Sequence, residues 1–246
     1  MFAPDILSLR QFYATPFGEE VRQLISASIE QLWPEIKGDV MLGIGYATPY
    51  LENYRGKNAP IIVCMPSRQG AACWPSTEGN MAFLAHESEL PLPENSVNRI
   101  LLLHCFEHSE PLSAMVEEMW RVLTPGGRML AVVPNRLGFW SRSSRSPFGY
   151  GRPFSIMQLR DLVSEKQFTH TRSSSALFLP PTYSRLFWRI ASKIEKIGKI
   201  FCPFFGGVLL IEAEKQLYAS IRQPVTIRKK YSVPLPATNP VLGLKS

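Results

Sequence analysis

The stretch His104-Cys105-Phe106-Glu107-His108 sets two imidazoles and a carboxylate close together. Imidazole titrates near neutral pH, so either histidine could move a proton. The same letters match H-x-x-E-H, a zinc-protease pattern. That chemistry needs both histidines on one helical face, with further ligands elsewhere. Here a wholly apolar run, Ile100 to Leu103, leads straight into His104, as in a strand buried on both faces. The two imidazoles then need not converge, and His86 and His170 are the remaining histidines. No metal is expected. A purely local role, as caps of the next helix, is the alternative for Glu107 and His108. The second chemical signal is Gly43-Ile44-Gly45. Glycines after a strand let the backbone turn tightly and approach a ligand closely, or serve only the turn. A nicotinamide fingerprint would need a glycine where Thr48 stands and an acid ending the run from Ile61 to Met65. Neither is present.

The elements that must hold these residues are legible in the hydrophobic pattern. Val21, Leu24, Ile25, Ile29 and Leu32 recur at helical spacing, which predicts a helix from Pro16 to Trp33 capped by Thr15. Short apolar runs at Val40–Ile44, Ile61–Met65, Met81–Ala85, Ile100–Leu103 and Met129–Val133 predict strands. Leu112 to Leu123 carries an amphipathic stripe and stops at Thr124-Pro125-Gly126-Gly127, which reads as a type II turn. Strands alternating with helices imply a parallel sheet covered by helices on both faces. In the last third, Phe154 to Val163 reads as helix, Ala176 to Leu179 as a short strand and Val208 to Ala213 as the last strand. Between them Thr182 to Gly198 is a basic amphipathic helix. Leu186, Phe187, Ile190, Ile194 and Ile197 form its apolar face, and Glu195 is its only acid. Such a helix packs on the domain as a lid, or lies on an anionic membrane or a partner.

The 246 residues are 45% hydrophobic and 19% charged, enough for one globular α/β domain with additions. No run approaches the roughly 20 apolar residues of a spanning helix, and the first thirty residues lack a signal-peptide pattern. The four cysteines show no CxxC pair and read as reduced thiols. A cytoplasmic protein is expected, with peripheral membrane contact as a variant. The net charge of +7 selects no partner by itself. Arg142, Arg145 and Arg152 lie among Trp140, Phe148 and Tyr150, but no nucleic-acid module is present and none is expected to bind.

Residues 89–135 read ELPLPENSVNRILLLHCFEHSEPLSAMVEEMWRVLTPGGRMLAVVPN. In order they hold an LP-x-P segment, a strand ending in His104, Phe106-Glu107-His108, a helix, Arg121 to Gly127, and a strand ending in Pro134-Asn135. This ordered set resembles the type 11 class I methyltransferase domain. The resemblance implies a Rossmann-like, mostly parallel sheet over residues 38–217, with a helical extension at 1–37, an insertion at 182–200 and a flexible tail at 218–246. It also implies S-adenosylmethionine as cofactor, in a cleft between Gly45 and His104. The residues it points to for the cofactor are Gly43, Gly45, Tyr46, Thr48, Met65, Glu87 and His104. His104 and His108 are the candidate catalytic groups, and Glu107, Phe139, Trp140 and Tyr150 the candidate substrate pocket. A small or lipophilic methyl acceptor is expected. The chain departs from the family twice. The carboxylate of the cofactor loop is absent from MLGIGYATPYL, and the acid that ends the second strand is replaced within Val63-Cys64-Met65-Pro66. A methyltransferase-like protein without turnover, kept for binding or as a scaffold, is the alternative.

Overall fold

The computed structural model describes residues 4–36, 38–75, 79–181, 188 and 190–216. The chain opens with helix α1 (Ile6–Tyr13), started by the Asp5 carboxylate, which accepts the Ser8 amide at 2.7 Å. Helix α2 (Pro16–Leu32) follows, capped by Thr15 as its sequence requires. Then come β1 (Met41–Gly45), the short helix α3 (Thr48–Leu51), β2 (Ile61–Pro66), β3 (Ala82–Ala85), β4 (Val97–Leu103) and α4 (Leu112–Val122). The second half holds β5 (Leu123–Pro134), α5 (Ile156–Glu165), β6 (Phe168–Ala176), α6 (Ala191–Phe201) and β7 (Val208–Lys215).

The seven strands form one sheet in the order β3-β2-β1-β4-β5-β7-β6. The first five are parallel, and β7 runs antiparallel to both β5 and β6. Successive side chains of a strand point to opposite faces, so one apolar run feeds two cores. Leu101 and Leu103 of β4 join α1, α2 and α3 on one face. Ile100 and Leu102 join α4 and α5 on the other. This double burial is why the strands read as continuous apolar runs.

Three features differ from the sequence pattern. Helix α1 is not among the elements expected from sequence because eight residues are too short a window for periodicity, yet Ile6, Leu9 and Tyr13 recur at helical spacing and are buried. Strand β5 begins at Leu123, because Leu123 pairs with Val97 before the register shifts at Arg99 and Arg128. Gly126 still takes the positive φ of 74° that the turn demands. Strand β6 ends at Ala176, where a strand was expected to start. Its polar residues Thr169 to Ser175 hide it from hydrophobic periodicity, and it is an edge strand, where polar side chains discourage unwanted pairing. The expected helix from Thr182 to Gly198 lies partly outside the described residues, as does the tail from 218. The described part, α6, docks through Ala191 and Glu195, which are buried, and through Gly198, which abuts the Phe178 ring. Ile197, expected on the packed face, points outward.

Helix α2 is tied to the far edge of the sheet by Glu212, which is fully buried. Its carboxylate accepts Trp33 Nε1 at 2.7 Å, Thr171 Oγ1 at 2.7 Å and Arg172 Nε at 2.8 Å. Arg172 also reaches the Leu32 carbonyl at the end of α2. Burial opposes the charge on Glu212, but these hydrogen bonds win and hold its pKa below 4.5. The stabilisation is therefore present above about pH 4.5 and fades as pH falls through the lower folded value. Glu212→Ala should cost about 1–3 kcal/mol, because it leaves the buried Trp33 Nε1 without its acceptor. Urea unfolding at neutral pH measures this; a loss below about 1 kcal/mol would place the tie elsewhere.

Candidate active site

The carboxyl ends of β1 and β4 are adjacent, and the chain crosses between them without a gap. Tyr46 N donates to the Leu103 carbonyl at 2.9 Å. Gly45 stands at φ +79°, and a Cβ there would lie 2.1 Å from that carbonyl oxygen. Gly43 is needed for a different contact, since its Cβ would meet Leu51 at 2.4 Å. Both glycines therefore serve strand-to-strand and strand-to-helix packing. Tyr46, expected among the cofactor residues, has its amide already bonded within the sheet.

His104 ends β4 in the left-handed region, at φ +52°, and this turns its side chain into the fold. It is fully buried. Its Nε2 lies 2.8 Å from the Tyr13 hydroxyl of α1, and Tyr50 donates to that same hydroxyl at 3.0 Å. Which of the two donates in the Tyr13–His104 bond depends on the imidazole tautomer. The other ring nitrogen, Nδ1, faces Glu107 Oε1 at 3.4 Å. Burial, then the nearby Tyr50, push the Tyr13 hydroxyl well above its usual 10, so it stays protonated. Phe148 closes the other side of the His104 ring at 4.6 Å, and Tyr46 stacks on Tyr13.

Beneath this plug lies a cavity of about 20 Å³, lined by Pro66, Gln69, Glu87, His104, Cys105 and His108 among others. Its polar residues are short of partners. Gln69 Oε1, Glu87 Oε2, His104 Nδ1, both Glu107 carboxyl oxygens and His108 Nε2 are buried without an aligned hydrogen bond. Each such atom costs about 1–3 kcal/mol unless something occupies the site. Burial also pushes the His108 imidazole below 6.5, so it favours the neutral form. Gln69 and Tyr13 carry no motif that would have singled them out. Gln69 follows β2 and donates to the His104 carbonyl, while the Ile6 amide of α1 bonds the Gln69 carbonyl at 2.9 Å.

Of the cofactor residues expected from sequence, the structure brings Glu87 and His104 into this cavity. Met65 is turned away, with its sulfur accepting the Ala72 amide at 3.1 Å. Thr48 is buried at the start of α3. The four expected pocket residues do not converge. Glu107 lies beside His104, but Trp140 is a core residue that stacks on Phe17 and donates to the Leu179 carbonyl at 2.6 Å. Phe139 faces solvent, and Tyr150 is largely exposed on a separate loop. Residues 104–108 form a turn, so His104 and His108 do not share a helical face. Beside the cleft, Tyr13, Tyr46, Thr48, Glu52 and Trp74 line an open groove of about 430 Å³, with Arg10 at its rim.

Gly45→Ala tests the reading of the β1–β4 junction. Positive φ and the Leu103 carbonyl together should cost about 2 kcal/mol or more. Thermal and urea unfolding would reveal it. A variant as stable as the native chain would restore Gly45 to a ligand-facing role.

Comparison with known proteins agrees with the topology. Residues 39–131 match a methyltransferase domain. A protein of Mycolicibacterium smegmatis named "Probable S-adenosylmethionine-dependent methyltransferase" is 41% identical over 92 residues, which is 37% of this chain and 33% of that protein. The match thus spans about a third of the relative's length. A SAM-dependent methyltransferase of Thermotoga maritima superposes with a TM-score of 0.62 at 14% identity, covering 86% of this chain and 96% of that one. The 1,6-didemethyltoxoflavin-N1-methyltransferase of Burkholderia thailandensis, solved with its substrate and S-adenosylhomocysteine, gives 0.56 at 14% identity, covering 86% and 85%. At these identities the likeness to the solved structures is one of fold. Residues 39–131 thus match a methyltransferase domain, in a chain with the fold of the class I S-adenosylmethionine-dependent methyltransferases.

Proposed function

We propose that this chain transfers a methyl group from S-adenosylmethionine to a small or lipophilic acceptor, with His104 as the base and Tyr13 as a removable plug. The observation that carries this reading is the cluster of buried, unpartnered polar atoms on Gln69, Glu87, His104, Glu107 and His108. In open parallel sheets ligands bind beyond the carboxyl ends of the strands, and these residues follow β2, β3 and β4. Their chemistry fits the polar edges of an adenosyl group. Gln69 offers an amide where the family's acid is absent, and Glu87 offers a carboxylate. The space does not fit while α1 is seated, since about 20 Å³ holds roughly one water. Tyr13 lines the 430 Å³ groove and also reaches His104. Its withdrawal would join groove and cavity into a space of the size that small-molecule sites occupy.

The cofactor supplies an electrophilic methyl group on a sulfonium. The chain's own residues do the rest. Holding the acceptor in line can contribute ~7–11 kcal/mol, so positioning is the larger task. An acceptor that must lose a proton can give it to His104 Nε2, which becomes free once the Tyr13 hydroxyl leaves. Glu107 steadies the Nδ1 proton from behind and favours the imidazolium that forms. The low His108 pKa keeps a second cation out of the site at neutral pH.

Calorimetry with S-adenosylmethionine and S-adenosylhomocysteine tests the reading. The native chain should bind either one saturably. Tyr13→Ala should bind more tightly, because no side chain needs to be displaced. Glu87→Ala should bind about tenfold more weakly, since a hydrogen bond to a charged group is worth ~1.5–3 kcal/mol. Absence of binding at millimolar ligand in both the native chain and Tyr13→Ala would reject the reading in favour of a protein without turnover. For catalysis, label from methyl-tritiated cofactor should enter an extractable product of cell lysate. His104→Gln should lose that transfer while keeping cofactor binding; unchanged transfer would remove His104 as the base.

A further inference from the structure

We propose that the surface built by the end of α6 and the turn after it docks on an anionic membrane. Ile200, Phe201, Phe204 and Phe205 are 73%, 76%, 64% and 56% exposed, and Ile197 beside them is 57% exposed. Single exposed apolar residues are ordinary, but a run of large ones marks a contact surface. This run is held in place. Ser175 Oγ donates to the Pro203 carbonyl at 2.7 Å, and Asn135 Nδ2 donates to the Phe204 and Gly206 carbonyls at 2.8 and 2.7 Å. The aromatic side chains therefore project from a pinned backbone, and little order remains to be lost on binding.

The exposed charge of α6 is basic. Glu195 is the only acid of α6, and it is buried, accepting the Leu177 amide at 2.5 Å and the Phe178 amide at 3.4 Å. Lys193 and Lys196 stay exposed on the same helix. Beside the turn, Ile156, Met157, Phe178 and Phe204 wall a groove of about 620 Å³ whose lining includes Arg160 and Lys199. Apolar walls with a cationic rim complement an anionic lipid. A second copy of the chain fits less well, because it would bring the α6 lysines of both copies together. The site also lies at the end of the sheet where ligands bind. Pro134 and Ala176 both pair with Val208, so the 203–207 turn sits at the carboxyl ends of the parallel strands. Docking there would turn the cleft's end of the domain toward lipid. The proposal stands on this surface alone and does not depend on cofactor binding.

Sedimentation of the full chain with phosphatidylcholine vesicles, with and without phosphatidylglycerol, tests it. Binding should need the anionic lipid and weaken as salt rises. Lys193→Glu with Lys196→Glu should weaken it about 25-fold or more, at about fivefold for each basic residue near such a surface. Phe201→Ser, Phe204→Ser and Phe205→Ser together should abolish it with the thermal midpoint unchanged, since these side chains are exposed. Equal binding to neutral vesicles, or none to either, overturns the proposal. So does binding that survives both sets of substitutions, which would move it to another basic segment such as Arg228-Lys229-Lys230. Concentration-dependent self-association removed by the serine set would overturn it too, in favour of a contact between copies.

Discussion

The hydrogen bond between Tyr13 and His104 joins the first helix of the chain to the centre of its sheet. Burying two polar groups so deeply is tolerable only if each satisfies the other. The bond does more than hold α1 down. It leaves Nδ1 facing Glu107 and fills the space above the cavity with a ring. Tyr50 and Tyr46 support it from α3 and from the loop before it. The state of the cleft thus follows from whether α1 is seated. Helix α1 has only 8 residues and is joined to α2 by Ala14 and Thr15. So short a helix owes its stability to what it packs against rather than to its own hydrogen bonds.

The two glycines of the first strand illustrate how one residue type can suggest a ligand and serve the fold. A glycine permits close approach, but the sequence does not say what approaches. At Gly45 it is the Leu103 carbonyl, and at Gly43 it is the Leu51 side chain. Polar side chains are more informative at this site, because a buried one without a partner is costly. Gln69, Glu87, His104 and His108 bear that cost together around one small cavity. Two other buried acids are fully occupied. Glu212 gathers Trp33, Thr171 and Arg172, and Glu195 caps two amides after β6. Burial alone therefore does not separate a structural acid from a functional one. The count of partners does.

Much of the architecture was legible in the chain itself. A strand buried on both faces must be apolar throughout, so β1, β2 and β4 declare themselves, and the Thr15 cap and Pro34 bound α2. The ordered segment from Leu90 to Asn135 carried the family. What escaped was polar and peripheral. Strand β6 lies at the sheet edge and needs no apolar alternation, and α1, at eight residues, is too short for its periodicity to stand out. Of the candidate site, His104, Glu107 and His108 were in reach because they lie within the family segment, and Glu87 because it lies just before it. Gln69 and Tyr13 were not, since neither type at neither place has a pattern to match.

The sequence by itself determined the alternation of strands and helices, the double-faced core and the resemblance to a methyltransferase domain. These follow from local periodicity and from residues close together in the chain. Only the tertiary structure decided what occupies the cleft. Tyr13 and His104 are 91 residues apart, and Trp33 and Glu212 are 179 apart. No local pattern encodes such pairs. They arise when packing removes water from both partners and leaves each polar group one choice, which is also why Trp140 became core and Ile197 became surface.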